Sequence, residues 1–163
     1  MNRKKRVYDE GNEDKCFILL AGLVLLAWIT PLGPMPGIFI GGTPSELPES
    51  WGSTADIHEI KLEVQGSLPR VVIIWVVQVD GSLHIVGSNS SGWVQMLGDG
   101  GSVRMRMGDK TYSLAASLLT TNWEPVLEAY GNKYRMDYPD IVGGFPAMEE
   151  AALTTAVFRL TGG

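Results

Sequence analysis

The chain of 163 residues is 45% hydrophobic, carries a net charge of −5 and has a single cysteine. That composition builds one ordinary core and excludes a disordered chain. It also excludes a disulfide framework or a thiolate metal centre within the chain. With only His58 and His84 as histidines, and no CxxC or HExxH spacing, no metal ligands are assigned.

Charge divides the chain into parts. Residues 1–15 hold five basic and four acidic groups, 16–42 hold none, and 43–163 hold eight basic and fourteen acidic groups. An acidic domain of this kind repels phosphate backbones, so no nucleic-acid partner is expected. Residues 1–13 read as a charged tail. The uncharged run from Cys16 to Ile40, CFILLAGLVLLAWITPLGPMPGIFI, begins as a good helix and is then broken by Pro31, Gly33, Pro34, Pro36 and Gly37. Cys16 to Thr30 spans roughly 22 Å as a helix, short of a hydrocarbon core of about 30 Å, so a transmembrane helix is placed at about 14–33. The exit from Pro34 to Gly42 is expected to lie at the membrane surface or against a partner protein. A cleaved signal peptide shares the basic start and short apolar run, although no A-x-A-like site follows Trp28. A buried core helix is the third reading.

Residues 43–56, rich in Pro, Gly and Ser, read as a linker, and 57–163 as the domain. Ile60, Leu62 and Val64 alternate with Glu59, Lys61 and Glu63, the mark of a half-buried strand. RVVIIWVVQV (70–79) is apolar on both faces and reads as one central strand. Asp80-Gly81 turns it into SLHIVGS (82–88). SGWVQMLG (91–98) predicts a short helical turn. Val103, Met105 and Met107 alternate with Arg104 and Arg106 on a strand whose arginines face water, and 111–119 pairs back after Gly108-Asp109. A helix capped by Asn122 runs to about 135 with Val126, Leu127, Tyr130 and Tyr134 on its apolar stripe. A loop follows, then a helical piece at PAMEEA and a last strand at 154–160. His58 and His84 fall on strands at solvent-side parity. The fold class is mainly β (α+β): a small antiparallel split barrel with one main helix, preceded by a single transmembrane helix.

The order of parts resembles the split-barrel flavin and deazaflavin proteins over roughly residues 60–160. It is similar above all to the deazaflavin-dependent nitroreductase and quinone reductase group. The residues that carry the likeness are the long strand, Asp80-Gly81, the strand that runs into SNSSGW, and the helix with Tyr130 and Tyr134. The resemblance implies an FMN or deazaflavin cofactor in a groove at the barrel edge, often between two subunits. It assigns Arg70, Ser88, Asn89, Ser90, Ser91, Gly92 and Trp93 to the cofactor, and Tyr130 and Tyr134 to the substrate as proton donors or pocket walls; the residues alone equally allow an ordinary polar loop, a core anchor at Trp93, a water-facing Arg70 and tyrosines that pack their helix on the barrel. One departure stands out, since the family's basic, glycine-containing phosphate stretch here reads VQGSLPR and keeps only Arg70. Two functions therefore stay open. One is a membrane-anchored reductase of a lipid-soluble acceptor such as a quinone. The other is an accessory or structural subunit of a larger membrane complex, with no cofactor. The partners expected are membrane lipid through residues 14–42 and either a homodimer or that larger complex.

Arg3, Lys4, Lys5 and Arg6 precede the apolar run, whereas the first charge after it is Glu46. By the positive-inside rule the N-terminus stays in the cytoplasm and the domain lies on the periplasmic or extracellular side. An export-dependent reporter fused after Gly163 is expected to be active. Protease should digest the domain in intact spheroplasts; protection until lysis would show the opposite orientation.

Overall fold

A computed structural model describes residues 36–163. The apolar run up to residue 35, with the anchor expected there, lies outside the described residues; among those described, no helix is long and apolar enough to cross a membrane. The chain forms β1 (Thr43–Pro44), β2 (Glu59–Val64), β3 (Arg70–Trp75), β4 (Val77–Val79), β5 (Ser82–Ser88), α1 (Gly92–Leu97), β6 (Gly100–Met107), β7 (Lys110–Leu118), α2 (Glu124–Tyr134), α3 (Pro139–Gly143), α4 (Met148–Thr154) and β8 (Thr155–Gly162).

The sheet runs β3-β2-β6-β7-β8-β5-β4, and every pair along it is antiparallel. Its two ends, β3 and β4, are consecutive pieces of one stretch, 70–79, separated only by Val76. The sheet therefore returns to its own start and closes as a barrel. The expected single central strand is corrected here: its first half pairs with β2 and its second half with β5. Between them β3 and β5 separate into a seam. Asp80 and Gly81 both have positive φ, +49° and +76°, as a two-residue hairpin with the strands' own twist requires.

The division at Val76 has a visible cause. Register places Glu59 opposite Trp75, so His58 and Val76 would make the next rung of the β2–β3 ladder. That rung is replaced by the hydroxyl of Tyr134, which accepts the Val76 N–H at 3.0 Å and shares its proton between the carbonyls of His58 (2.6 Å) and Val76 (2.8 Å). Lys133 Nζ completes the stitch by donating to the carbonyls of Thr54, Ile57 and Val76 at 2.7–2.9 Å. Buried backbone groups that a broken ladder would leave unpaired are thereby satisfied.

Leu62, Leu83, Ile85, Met105 and Phe158 fill the barrel with 0% exposure, and α1 closes one end through Trp93, Val94 and Leu97. Each fully buried side chain of this size contributes about 1.5–3 kcal/mol. A second cluster lies outside the seam, where α2 and α3 place Val126, Tyr130, Tyr134 and Val142 against Val77 and Val157. Trp75 stacks on Tyr134 there with ring centroids 4.1 Å apart.

Several expectations change. The chain from Pro36 is tied to its own barrel, where Gly37 pairs with Val71, Ile40 is buried and Thr43–Pro44 adds to β7, while Ile38 and Phe39 stay exposed. Glu63, expected on the wet face, is 2% exposed and receives two hydrogen bonds from Arg104 at 2.5–2.7 Å. Arg106 is likewise engaged, donating to the carbonyls of Gly108 and Ile40. His84 is buried rather than solvent-facing; its Nδ1–H donates to the Ser82 carbonyl, and burial lowers its pKa. His58 precedes β2 rather than lying in it. Asn122 has φ +55° and cannot cap α2, which starts after Trp123. The expected loop contains α3, and the last strand runs from Thr155 to Gly162 rather than over 154–160.

Tyr134→Phe should cost about 1–3 kcal/mol, because it leaves the Val76 N–H buried without an acceptor. Burial also raises the Tyr134 pKa from 10.0 to about 12. A group whose folded pKa is raised gives stability that is present below the unfolded pKa and lost as pH rises through the folded one. Denaturant unfolding should therefore show stability falling between pH 10 and 12, less steeply in Tyr134→Phe than in the parent; an identical slope would contradict the assignment.

Candidate functional site

A concavity opens along the seam. Val71 exchanges backbone hydrogen bonds with Gly37 on its outer edge, at 2.7 and 2.8 Å. Alternation along an antiparallel strand then turns the main-chain groups of Ile73 and Trp75 away from β2. On the other side, the two-residue hairpin turns those of Val86 toward the same gap. A groove of about 1200 Å³ runs between Ile73–Trp75 and Val86–Ser88 and is roofed by α2, α3 and α4. Its walls include Tyr130, Ile141, Phe145 and Met148, with Glu128, Asn132, Arg135 and Glu150 as its longer polar side chains. A mostly apolar cleft of this size with a few polar groups suits a drug-sized ring system.

At the end of the seam, β3 begins with Arg70 and α1 begins with Gly92. A Cβ on Gly92 would stand 3.2–3.3 Å from the Arg70 guanidinium, so the cation lies directly against the start of α1. Arg70 Nε is buried without a hydrogen-bond partner, and among the described residues no carboxylate forms an ion pair with it. No acidic residue lies in the first turn of α1, and Ser91 makes no side-chain cap. The guanidinium thus lies against the start of α1, which follows the serine loop of 88–91, and among the described residues no carboxylate pairs with it. Such an arrangement favours a phosphate or carboxylate.

The nine residues singled out in the sequence separate into four groups. Arg70 and Gly92 meet at this corner, and Ser88, Ser90 and Ser91 belong to the loop that leads into Gly92. Ser88 Oγ and Ser90 Oγ are 2.8 Å apart and exposed, and Ser88 also lines the groove. Ser91 is tied locally, its hydroxyl and N–H both donating to the Ser88 carbonyl. Asn89 serves the loop's position instead: its Nδ2 donates to the Leu153 carbonyl at 2.9 Å and its N–H to that of Thr154 at 2.8 Å.

Trp93 and Tyr134 are corrections. Trp93 is 6% exposed and packs on Phe158, and Gly87 lacks a side chain where a Cβ would stand 2.3 Å from the indole; the ring is a core anchor and does not face a ligand. Tyr134 is 0% exposed, with its hydroxyl committed to Val76 and His58, so it cannot reach a substrate. Tyr130 does line the groove, between Trp75 and Phe145. Burial, followed by the neighbouring Tyr134, pushes its phenol well above the ordinary value. A phenol so shifted stays neutral and is a poor proton donor in transfer, though a good hydrogen-bond donor or apolar wall. Arg135, Phe145 and the α3–α4 roof were missed. Arg135 ends the main helix, the others come from segments that read as a loop and a short helical piece, and only the fold carries them back over β3.

No family model matches the chain, and no curated protein matches it. Among solved structures, it is similar to a NimC/NimA family protein from Clostridium acetobutylicum, at 19% identity and a TM-score of 0.45, over 64% of this chain and 73% of that one. It is also similar to a putative pyridoxamine 5′-phosphate oxidase from Listeria innocua, at 14% identity and a TM-score of 0.46, over 65% of this chain and 84% of that one. At these identities and scores neither likeness assigns the chain a ligand or a reaction.

Proposed function

We propose that this chain is a membrane-anchored oxidoreductase domain that holds a phosphate-bearing flavin or deazaflavin at the seam and reduces a lipid-soluble acceptor such as a quinone. The observation that carries the reading is the Arg70 corner: a buried, partnerless Nε and a guanidinium set against the start of α1, beside the serine loop. The residues present fit the phosphate end of such a cofactor, with Arg70, Ser88 and Ser90 as its donors. The adjoining groove, bounded by Trp75, Tyr130 and Phe145, has the size and apolar walls that a fused ring needs. When bound, a flavin would supply hydride or electron transfer. The protein's own part is to neutralise the phosphate, exclude water with the α2–α4 roof, and offer Tyr130 as a neutral hydrogen-bond donor.

The loss of Trp93 and Tyr134 from the site favours a second reading, in which the groove binds a partner or ligand without chemistry and the chain is an accessory subunit of a membrane complex. The two readings separate on purification. The first expects a yellow protein in mild detergent that releases flavin on denaturation. A colourless preparation that takes up neither FMN nor deazaflavin and migrates with other membrane subunits supports the second.

Arg70→Ala should weaken cofactor binding by about 1.5–3 kcal/mol, the usual worth of hydrogen bonds to a charged group, with unfolding of the ligand-free protein unchanged. An equal loss of ligand-free stability, with affinity intact, would make Arg70 a structural residue and remove the main support for the cofactor.

A further inference from the structure

We propose that the exposed apolar rim of α3 and α4 rests on the lipid bilayer and turns the mouth of the seam groove toward it. The inference rests on the reading of residues 14–33 as an anchor and adds the face by which the domain meets the membrane. Ile141, Phe145, Met148 and Leu153 are 55%, 40%, 38% and 79% exposed. Three of them also line the groove, and Leu153 stands on the same short helix as Met148. Lone exposed apolar residues are ordinary, but Ile141 on α3, Phe145 in the link and Met148 on α4 stand together at the mouth of one cleft, with Leu153 further along α4, and mark an interaction surface.

The path of the chain says what covers that surface. Gly37 pairs antiparallel with Val71. The backbone entering at Pro36 therefore comes from the direction of Ile73 and Trp75, which is the wall of the same groove. The residues before it are the uncharged run that begins at Cys16. From Gly33, where the anchor is expected to end, to Gly37 is four residues, and a fully extended chain of that length reaches at most about 14 Å. A tether so short holds the groove side of the barrel at the membrane surface. The far side, with the β6–β7 hairpin, is directed away from it. Asp140, Glu149 and Glu150 lie along the rim. Their charges disfavour anionic headgroups, so the surface fits a zwitterionic leaflet. The ligand class that reaches the groove is then one dissolved at the hydrocarbon boundary.

The test uses the full chain with Cys16→Ser and one new cysteine, Phe145→Cys, Leu153→Cys or, as control, Lys110→Cys on the β6–β7 hairpin. Each carries an environment-sensitive fluorophore and is reconstituted in phosphatidylcholine vesicles. At 145 and 153 the emission should shift to the blue relative to detergent, be quenched by nitroxide-bearing lipid and resist aqueous iodide. At 110 it should remain open to iodide. Rim labels as open to iodide as the control, in protein that resists carbonate extraction, would overturn the docking face and leave the anchor standing. Extraction by carbonate would overturn both. Rim labels already blue-shifted in detergent and cross-linking to each other would assign the face to a second copy and overturn the proposal.

Discussion

The bond on which the rest depends is the one between the Tyr134 hydroxyl and the backbone of Val76. A single stretch, 70–79, must serve both ends of the sheet, pairing first with β2 and then with β5. A strand cannot change partners without leaving backbone donors and acceptors unmatched at the point of change, and in a buried position each unmatched group costs about 1–3 kcal/mol. Tyr134 and Lys133 meet that demand from a helix outside the barrel, so the closure of the sheet and the docking of α2 are one event.

From that closure the site follows. Because β3 pairs with β2 while β4 beyond Val76 pairs with β5, β3 and β5 are left apart as a seam, and because α2 must reach Val76, it lies across that seam and roofs it. The aromatic rings that make the roof, Tyr130 and Tyr134 against Trp75, serve packing first; only Tyr130 is left facing the groove. The far end of the seam is where β3 starts and α1 starts, which brings Arg70 to Gly92. A cation beside helix N–H groups is electrostatically unfavourable unless an anion joins it. That imbalance, more than the shape of the groove, gives the corner its chemical meaning.

Much of this was legible in the residues. The period-two alternation of Ile60, Leu62 and Val64 and the Asp80-Gly81 turn located strands and register, because burial on one face and positive φ are local demands. The resemblance named both Arg70 and Gly92, which the fold sets side by side. What escaped was set by tertiary context. Nothing local to RVVIIWVVQV marks Val76 as the point of change, since the tyrosine that satisfies it lies 58 residues away. Glu63 alternates like a surface residue, yet Arg104 across the ladder holds it where water does not reach. Trp93 by itself reads more as a core anchor than as a stacking ring, only the resemblance gave it to the cofactor, and the close approach of Gly87 fixes it in the core. The Pro/Gly-broken exit from Pro36 and the start of the 43–56 linker carry no strand pattern of their own, yet backbone pairing with Val71 and Lys110 fixes both on the barrel.

The central claim is that the seam between β3 and β5, with Arg70 at its end, is where the cofactor binds. Residue-resolved hydrogen exchange of the full chain in detergent, with and without FMN or deazaflavin, addresses it most directly. The account predicts slower exchange at Ile73, Trp75, Val86 and the amides of 88–92 when the cofactor is added, with the β6–β7 hairpin unchanged. Exchange that slows elsewhere and leaves the seam amides as they were, or that does not respond at all, would contradict it.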